Sequence, residues 1–202
     1  HHALTTLSEI IAGLFLGTLF GVISALTMVY FRPLRDWLLP VLVISQAIPV
    51  FALAPILVLW LGYGMASKIA MATLIIYFPV TATFLDGLRR TEPGWFDLAQ
   101  TMSASRWAML VHVRIPSALP SAASGLRVAT AVAPIGAIVG EWVGSSSGLG
   151  YLMLHANARM QIDVMFAALA ILAVISISLY FIMDIILRRM LPWQPDDYHE
   201  SH

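Results

Sequence analysis

Long apolar runs, separated by a few polar segments, dominate the pattern of this chain. A helix that crosses the hydrocarbon core of a bilayer needs about 20 mostly apolar residues. Five runs approach or exceed that length, over residues 5–31, 38–61, 66–85, 117–143 and 164–187. The pattern therefore predicts an all-α fold, a polytopic membrane helix bundle with five spans.

Two of the polar segments are long, residues 86–116 and 144–163. If the spans alternate in direction, most arginines fall on one side of the membrane, whereas Lys68 and Arg159 fall on the other. The positive-inside rule places the larger group in the cytoplasm: Arg32, Arg35, Arg89, Arg90, Arg106, Arg114, Arg188 and Arg189. This orientation puts the first residue outside without a signal peptide before it, so we expect a sixth, earlier span in the full-length protein.

The composition supports lipid as the main solvent. The chain of 202 residues is 59% hydrophobic and only 11% charged, whereas a typical globular domain carries about 25% charged residues. Its formal net charge is zero, which gives no reason to expect nucleic-acid binding. The absence of cysteine excludes thiolate chemistry, and the histidines show no metal-ligand spacing, so we expect neither a metal site nor a cofactor on this chain.

Small residues and prolines modify the predicted spans. Gly13, Gly17 and Gly21 recur at four-residue spacing, which favours close packing against a second helix. Prolines interrupt the second, third and fourth runs and predict kinked or broken helices there: Pro40, Pro49, Pro55, Pro79 and Pro134.

The segment 97–116 has helical periodicity on both sides of Ser103 and predicts two short helices joined by a turn. Either Ser103 or Ser105 is expected to cap the second helix, and Pro116 to end it before the fourth span. A short amphipathic pair of this kind either lies on the lipid surface or docks a partner.

The same segment resembles the EAA loop of ABC importer permeases, in which Glu-Ala-Ala is followed at fixed spacing by Gly and by an Ile-x-Leu-Pro ending. Here these positions are Asp97-Leu-Ala99, Ser103 and Val113-Arg-Ile-Pro116. Serine replaces the glycine that would permit a left-handed turn without steric cost. The sequences at 48–49, 117–120, 125–129 and 144–150 extend the resemblance to the branch that carries nitrate, sulfonates, taurine and pyrimidine precursors.

The resemblance implies a type I ABC importer fold for residues 1–202 as a single permease domain in the bacterial inner membrane. It implies no enzymatic activity here, because ATP and Mg²⁺ bind a separate ATPase; the chain itself has no phosphate-binding G-x-x-x-x-G-K-[ST] loop. Implied partners are two ATPase copies, a second permease copy and a periplasmic substrate-binding protein. The implied ATPase-coupling residues are Asp97, Ala99, Ser103, Ala104, Ser105, Trp107, Arg114 and Pro116.

Charged residues inside a span are functional candidates because their insertion is costly. Arg127 and Glu141 lie about 21 Å apart on one helix, so each either lines a pathway or anchors a neighbouring helix; the anchor is favoured for Arg127 and the choice is open for Glu141. Glu9 is expected near outer water, Asp86 beside Arg89 or Arg90, and Asp184 beside Arg188. The pathway or gate candidates are Gln46, Arg127, Glu141, Trp142, Ser145, Ser146 and Ser147.

The outer segment 144–163 predicts a short helix over 149–160, either a periplasmic gate or a lid. Gly144-Ser-Ser-Ser-Gly148 also contains G-x-S-x-G, so an intramembrane serine hydrolase using Ser146 is a rival function. A membrane scaffold that only binds partners is another rival. Within the transporter hypothesis, the tail at 191–196 and the overall likeness resemble permeases for hydroxymethylpyrimidine-type thiamine precursors, which favours such a solute over sulfonate, taurine or nitrate.

Overall fold

The computed structural model describes residues 1–193, which are mostly helical. The last three residues of the tail motif at 191–196, on which the thiamine-precursor hypothesis partly rests, lie outside the described residues. The helices are α1 (His2–Tyr30), α2 (Arg32–Ser45), α3 (Val50–Leu61), α4 (Met65–Arg89), α5 (Pro93–Thr101), α6 (Arg106–Met109), α7 (Ile115–Gly144), α8 (Leu149–Ala158) and α9 (Ile162–Met190).

The predicted spans are present, and the second of them is broken. Four described helices are long and apolar enough to cross a membrane: α1, α4, α9 and the continuous stretch Arg106–Gly144. Helices α2 and α3 meet at an angle of 105° and together are long and apolar enough for a fifth, bent span. Pro49 stands at the start of α3 and disfavours helical geometry in the residue before it, which explains the break.

Helix α4 forms the centre of the bundle, between α1 and α7. The predicted close contact of the α1 glycines is confirmed, because a Cβ on Gly17 would come 2.6 Å from Cγ2 of Ile76. Gly136 of α7 approaches the same stretch of α4 from the other side, where its Cβ would lie 2.7 Å from Cα of Ala72. Small residues thus let three backbones come together around a buried core: Ile10, Leu14, Ala72, Ile76, Val80, Ala129, Ala133 and Ala137.

The prediction that Pro116 ends the second short helix is wrong. Helix continues from Arg106 to Gly144, with residues 110–114 wound as a π-helical turn in which the amide of Ile115 donates to Leu110 O. Pro116 lies in the first turn of α7. The wider turn just before it accommodates a residue that cannot donate a hydrogen bond to the preceding turn.

Candidate functional site

Helices α5 and α6 with their connecting turn form an element at the end of the bundle opposite His1. We call residues 93–109 the two-helix element. Ser103 occupies the turn with φ 55°, its amide donates to Gln100 O at 2.9 Å, and the amide of Ala104 donates to Ala99 O at 2.9 Å. This is a Schellman C-cap with Ser103 in the left-handed position where glycine is usual.

The cap on α6 is Ser105, one of the two residues predicted for it. The amide of Ala108 donates to Oγ of Ser105 at 3.2 Å, which satisfies one of the free donors of the first turn. Ser103 and Ser105 therefore have separate tasks, the first ending α5 and the second beginning α6. The two-helix arrangement expected from the periodicity is present.

The remaining coupling candidates divide into a group that packs against the bundle and an exposed group. Ala99 is buried, and the guanidinium of Arg114 lies 4.7 Å from the ring centroid of Phe96, so both join the element to the bundle. Asp97 and Pro116 are exposed. Large apolar side chains are exposed beside them, with relative exposures of 51–74%: Trp95, Leu98, Met102 and Trp107.

At the opposite end of the bundle, Glu141 binds the N-terminus of α8. Its carboxylate is buried, and it accepts hydrogen bonds from the amide of Gly150 at 2.5 Å and from Oγ1 of Thr6 at 2.5 Å. Oγ1 of Thr6 accepts in turn from the amide of Leu149 at 2.8 Å. A carboxylate at a helix N-terminus is stabilised by the free amides and the helix dipole, so Glu141 anchors α8 to α7.

Glu9 lies beside this site and is not relieved by outer water, contrary to the expectation from the sequence. Its side chain is fully buried, and Lys68 Nζ lies 2.5 Å from its Oε1. Lys68 is the only lysine in the sequence and also donates to Oγ of Ser145 at 3.1 Å. The pair links α1, α4 and the outer segment where burial of a lone charge would be costly.

The serine run continues this outer network. Oγ of Ser145 donates to the carbonyl of Ser147 and accepts from the amide of Ser147 at 3.1 Å. Ser146 between them is exposed, and the ring of His155 packs on Tyr151 at 4.1 Å between centroids. Ser145 therefore contacts Lys68 directly, and Ser147 is joined to it through Ser145. Within residues 1–193, Ser146 forms no hydrogen bond to Glu141 or Lys68.

Arg127 is held by an ion pair in the half of the bundle that carries the two-helix element. Its Nε lies 2.7 Å from Oδ1 of Asp184, and Oδ2 of Asp184 lies 2.9 Å from Nε of Arg188. The predicted Asp184–Arg188 pair is present, and Arg127 joins it as an anchor between α7 and α9. Arg90, rather than Arg89, pairs with Asp86 at 2.7 Å.

Two pathway candidates stand apart from both clusters. Gln46 lies in the break between α2 and α3, where its Nε2 donates to Oγ of Ser45 at 3.3 Å. Trp142 is 51% exposed on the outer surface of α7. The pathway role of these residues stays a prediction.

Sequence reasoning missed Lys68, Thr6 and the partnership of Arg127 with Asp184. A signal was available for Lys68, because a single lysine next to an apolar run requires a carboxylate partner when it is buried. Thr6 gave no such signal, since a threonine in an apolar helix usually bonds its own backbone. Long-range pairs of this kind depend on how the helices are arranged.

The chain matches the family described as "Binding-protein-dependent transport system inner membrane component" over residues 17–192. A "Probable ABC transporter permease protein" of Haemophilus influenzae is 64% identical over 190 residues, covering 94% of this chain and 78% of that protein. The formylaminopyrimidine transport permease protein ThiX of Halalkalibacterium halodurans is 38% identical, covering 96% and 77%.

A third relative, the riboflavin transport system permease protein RibX of Chloroflexus aurantiacus, is 37% identical and covers 96% of this chain and 72% of that protein. Among solved structures, the fold is similar to a chain of the inward-facing MetNI methionine ABC transporter, with a TM-score of 0.77 and 18% identity. That alignment covers 93% of this chain and 94% of the other.

Proposed function

This chain belongs to the family of binding-protein-dependent transport system inner membrane components, and on that premise we propose that it moves a small polar solute into the cytoplasm. It is an ABC importer permease subunit. Family membership leaves the energy source and the class of solute to be proposed. A separate ATPase supplies the energy, with ATP and Mg²⁺ bound on that partner.

The exposed apolar surface of the two-helix element is the observation that carries this proposal. Trp107 is 65% exposed and Met102 is 74% exposed, next to the charged Asp97. Large apolar side chains exposed beside a charged residue at the end of the bundle mark a surface that a protein partner covers. The ATPase is that partner.

The helix that begins in this element gives the docked surface a mechanical connection to the other end of the bundle. Arg106–Gly144 is one helical stretch of 39 residues, about 58 Å long at 1.5 Å per residue. Its outer end carries Glu141, which binds the N-terminus of α8. A tilt imposed on α6 by the ATPase therefore moves α8, the candidate gate, at the opposite end.

The assembly that fits this mechanism contains two permease copies, two ATPases and a periplasmic binding protein, in the bacterial inner membrane. The exposed apolar side chains of α2 and α3 include Trp37, Phe51 and Trp60, and lipid or the second copy covers them. Two copies related by a two-fold axis give each ATPase one two-helix element.

For the solute we favour a thiamine pyrimidine precursor. The support is the 38% identity to a permease named for formylaminopyrimidine, together with 37% identity to one named for riboflavin, since both names denote nitrogen heterocycles. Taurine, another sulfonate or nitrate carried by the same machinery is the alternative. Ser146 is exposed and has no hydrogen-bond partner among the described residues, which gives no support to the intramembrane hydrolase.

The docking surface is tested by introducing charge in the full-length permease expressed with its ATPase. Trp107→Glu and Met102→Glu should each lower the amount of ATPase that co-purifies by about tenfold or more, as expected for a central apolar contact. Tyr63→Glu is the matched control, because Tyr63 is 84% exposed at the opposite end. Normal ATPase recovery with both cytoplasmic variants would contradict the docking proposal.

The solute is tested with the assembled transporter in proteoliposomes whose lumen corresponds to the cytoplasm and contains ATP and Mg²⁺, with the binding protein and the solute outside. ATP-dependent uptake of formylaminopyrimidine, unaffected by excess taurine, is the expected result. Uptake of taurine in preference to the pyrimidine would overturn the choice of solute and leave the docking result intact. Ser146→Ala should not change uptake.

A further inference from the structure

A cleft of about 910 Å³ opens at the cytoplasmic end of the bundle, between the α1–α2 junction and the two-helix element. Its wall contains an unusual concentration of positive charge for a chain with zero formal net charge. The arginines that line it come from three helical stretches, α2, α4 and Arg106–Gly144: Arg32, Arg35, Arg89, Arg106 and Arg114.

Little of this charge is neutralised within the described residues. Asp36 pairs with Arg35 at 3.0 Å, but no acidic residue is among those that line the cleft in residues 1–193. The contact of Arg114 with the Phe96 ring leaves its charge in place, and Arg32 is near enough to Arg114 for the two charges to repel. Bringing these arginines together is favourable when an anion lies between them.

The cleft also has an apolar part, which distinguishes it from a site for a fully hydrated ion. Val29, Leu88 and Leu110 line it where α1 and α4 reach their cytoplasmic ends. Tyr30 and Phe31, at the same level, are 49% and 55% exposed, as expected for aromatic side chains at a membrane–water interface. A ligand that fits both parts has an anionic head and a hydrocarbon tail.

We propose that this cleft binds an anionic phospholipid of the cytoplasmic leaflet, with its phosphate held by Arg32, Arg89 and Arg114. Basic pockets between spans on the cytoplasmic side are suited to such headgroups. The acyl chains lie against Val29 and the exposed ring of Phe31 and leave the cleft towards the bilayer. The lipid contacts α1, α4 and the two-helix element together, because residues from all three form the wall.

The test uses the full-length permease in complex with its ATPase, in detergent, titrated with phosphatidylglycerol or phosphatidylcholine and measured by native mass spectrometry. Phosphatidylglycerol should bind more tightly, and Arg32→Gln or Arg89→Gln should each weaken it about fivefold, with the double variant weaker still. Arg90→Gln is the matched control. Arg90 is next in sequence to Arg89, carries the same charge and is 79% exposed, but it pairs with Asp86 and is not among the residues that line the cleft.

A second arm separates a lipid from a soluble phosphate. Inorganic phosphate at millimolar concentration should neither displace phosphatidylglycerol nor protect the cleft arginines from a guanidine-specific reagent. Protection by phosphate alone that is lost in the Arg32→Gln variant would overturn the lipid in favour of a soluble anion. Equal affinity for the two lipids, or equal effects of the Arg89 and Arg90 substitutions, would overturn the site.

The wild-type comparison of the two lipids does not depend on any variant folding, so the proposal stays falsifiable if a substitution impairs expression. The readout is lipid binding rather than transport. Failure of the lipid site therefore leaves the proposed permease function untouched, and failure of the ATPase docking experiment leaves the lipid site untouched.

Discussion

Ser103 shows how a single side chain sets the cost of a turn. The Schellman bonds around it require a left-handed residue, and a non-glycine residue in that conformation loses about 1 kcal/mol or more. The resemblance to the EAA loop places glycine at this position. The structure shows that serine adopts this left-handed turn, so the turn forms here at a conformational cost that glycine would avoid.

Ser103→Gly should therefore stabilise the C-cap of α5 by about 1 kcal/mol. Amide hydrogen exchange across residues 93–104 should slow about fivefold, because local opening becomes less favourable. Ser105→Ala provides the contrast, since removal of the α6 cap costs about 1 kcal/mol and should speed exchange after residue 105. Unchanged exchange in Ser103→Gly would mean that the turn carries no strain.

A second residue-scale prediction concerns the ion pair between α7 and α9. Asp184→Asn leaves Arg127, whose side chain is 24% exposed, without its counterion and should cost about 2 kcal/mol of unfolding free energy. Asp86→Asn removes an exposed pair with Arg90 and should cost less than about 1 kcal/mol. Chemical unfolding of the purified permease measures both; equal losses would contradict the difference in burial.

At the element scale, α8 depends on Glu141 more than on its own sequence. Its N-cap is Gly148 with φ 118°, so no side chain of that residue is available to cap the helix. The carboxylate comes from α7 and the hydroxyl from α1. A short helix held at its first turn by two other helices has an orientation that follows theirs.

Gly148→Ala should detach this first turn. The new Cβ would fall on the Glu141 carboxylate, and φ 118° is strained for any other residue, so we expect a loss of about 2 kcal/mol or more and faster hydrogen exchange over 149–158. Gly94→Ala is the matched control, because a Cβ there meets nothing within 4 Å. Normal protection of α8 in Gly148→Ala would show that Glu141 is not its anchor.

For the whole molecule, the Glu9–Lys68 pair tests whether buried charge supports the bundle. Lys68→Met leaves the fully buried Glu9 without its partner and should lower the unfolding free energy by about 3–5 kcal/mol. The double variant Glu9→Leu/Lys68→Met should recover most of that loss, because two apolar side chains, which need no counterion, replace two desolvated charges. The midpoint of chemical unfolding provides the measurement, and additive losses in the double variant would refute coupling.

The spans, the two-helix element and its cap follow from local patterns, so they are readable along the chain. Apolar run length sets each span, the periodicity around Ser103 sets α5 and α6, and Ser105 precedes α6 by the offset that capping requires. The prediction that a helix ends at Pro116 was wrong because a proline normally marks a helix end. The π-helical turn at 110–114, which lets the helix continue, depends on how α6 joins α7. Four-residue glycine spacing predicted contact in α1 without naming α4 as its partner.

The linear order of residues was sufficient for the membrane class and the family, since these depend on composition and spacing, whereas the orientation of the arginines stays a prediction. Only the folded arrangement decided that Glu9 pairs with Lys68, that Glu141 caps α8, and that Arg127 joins Asp184. It also brought arginines from three helical stretches into one cleft. The physical reason is that charge pairing and burial depend on distances between helices, and these distances are set by packing rather than by position along the chain.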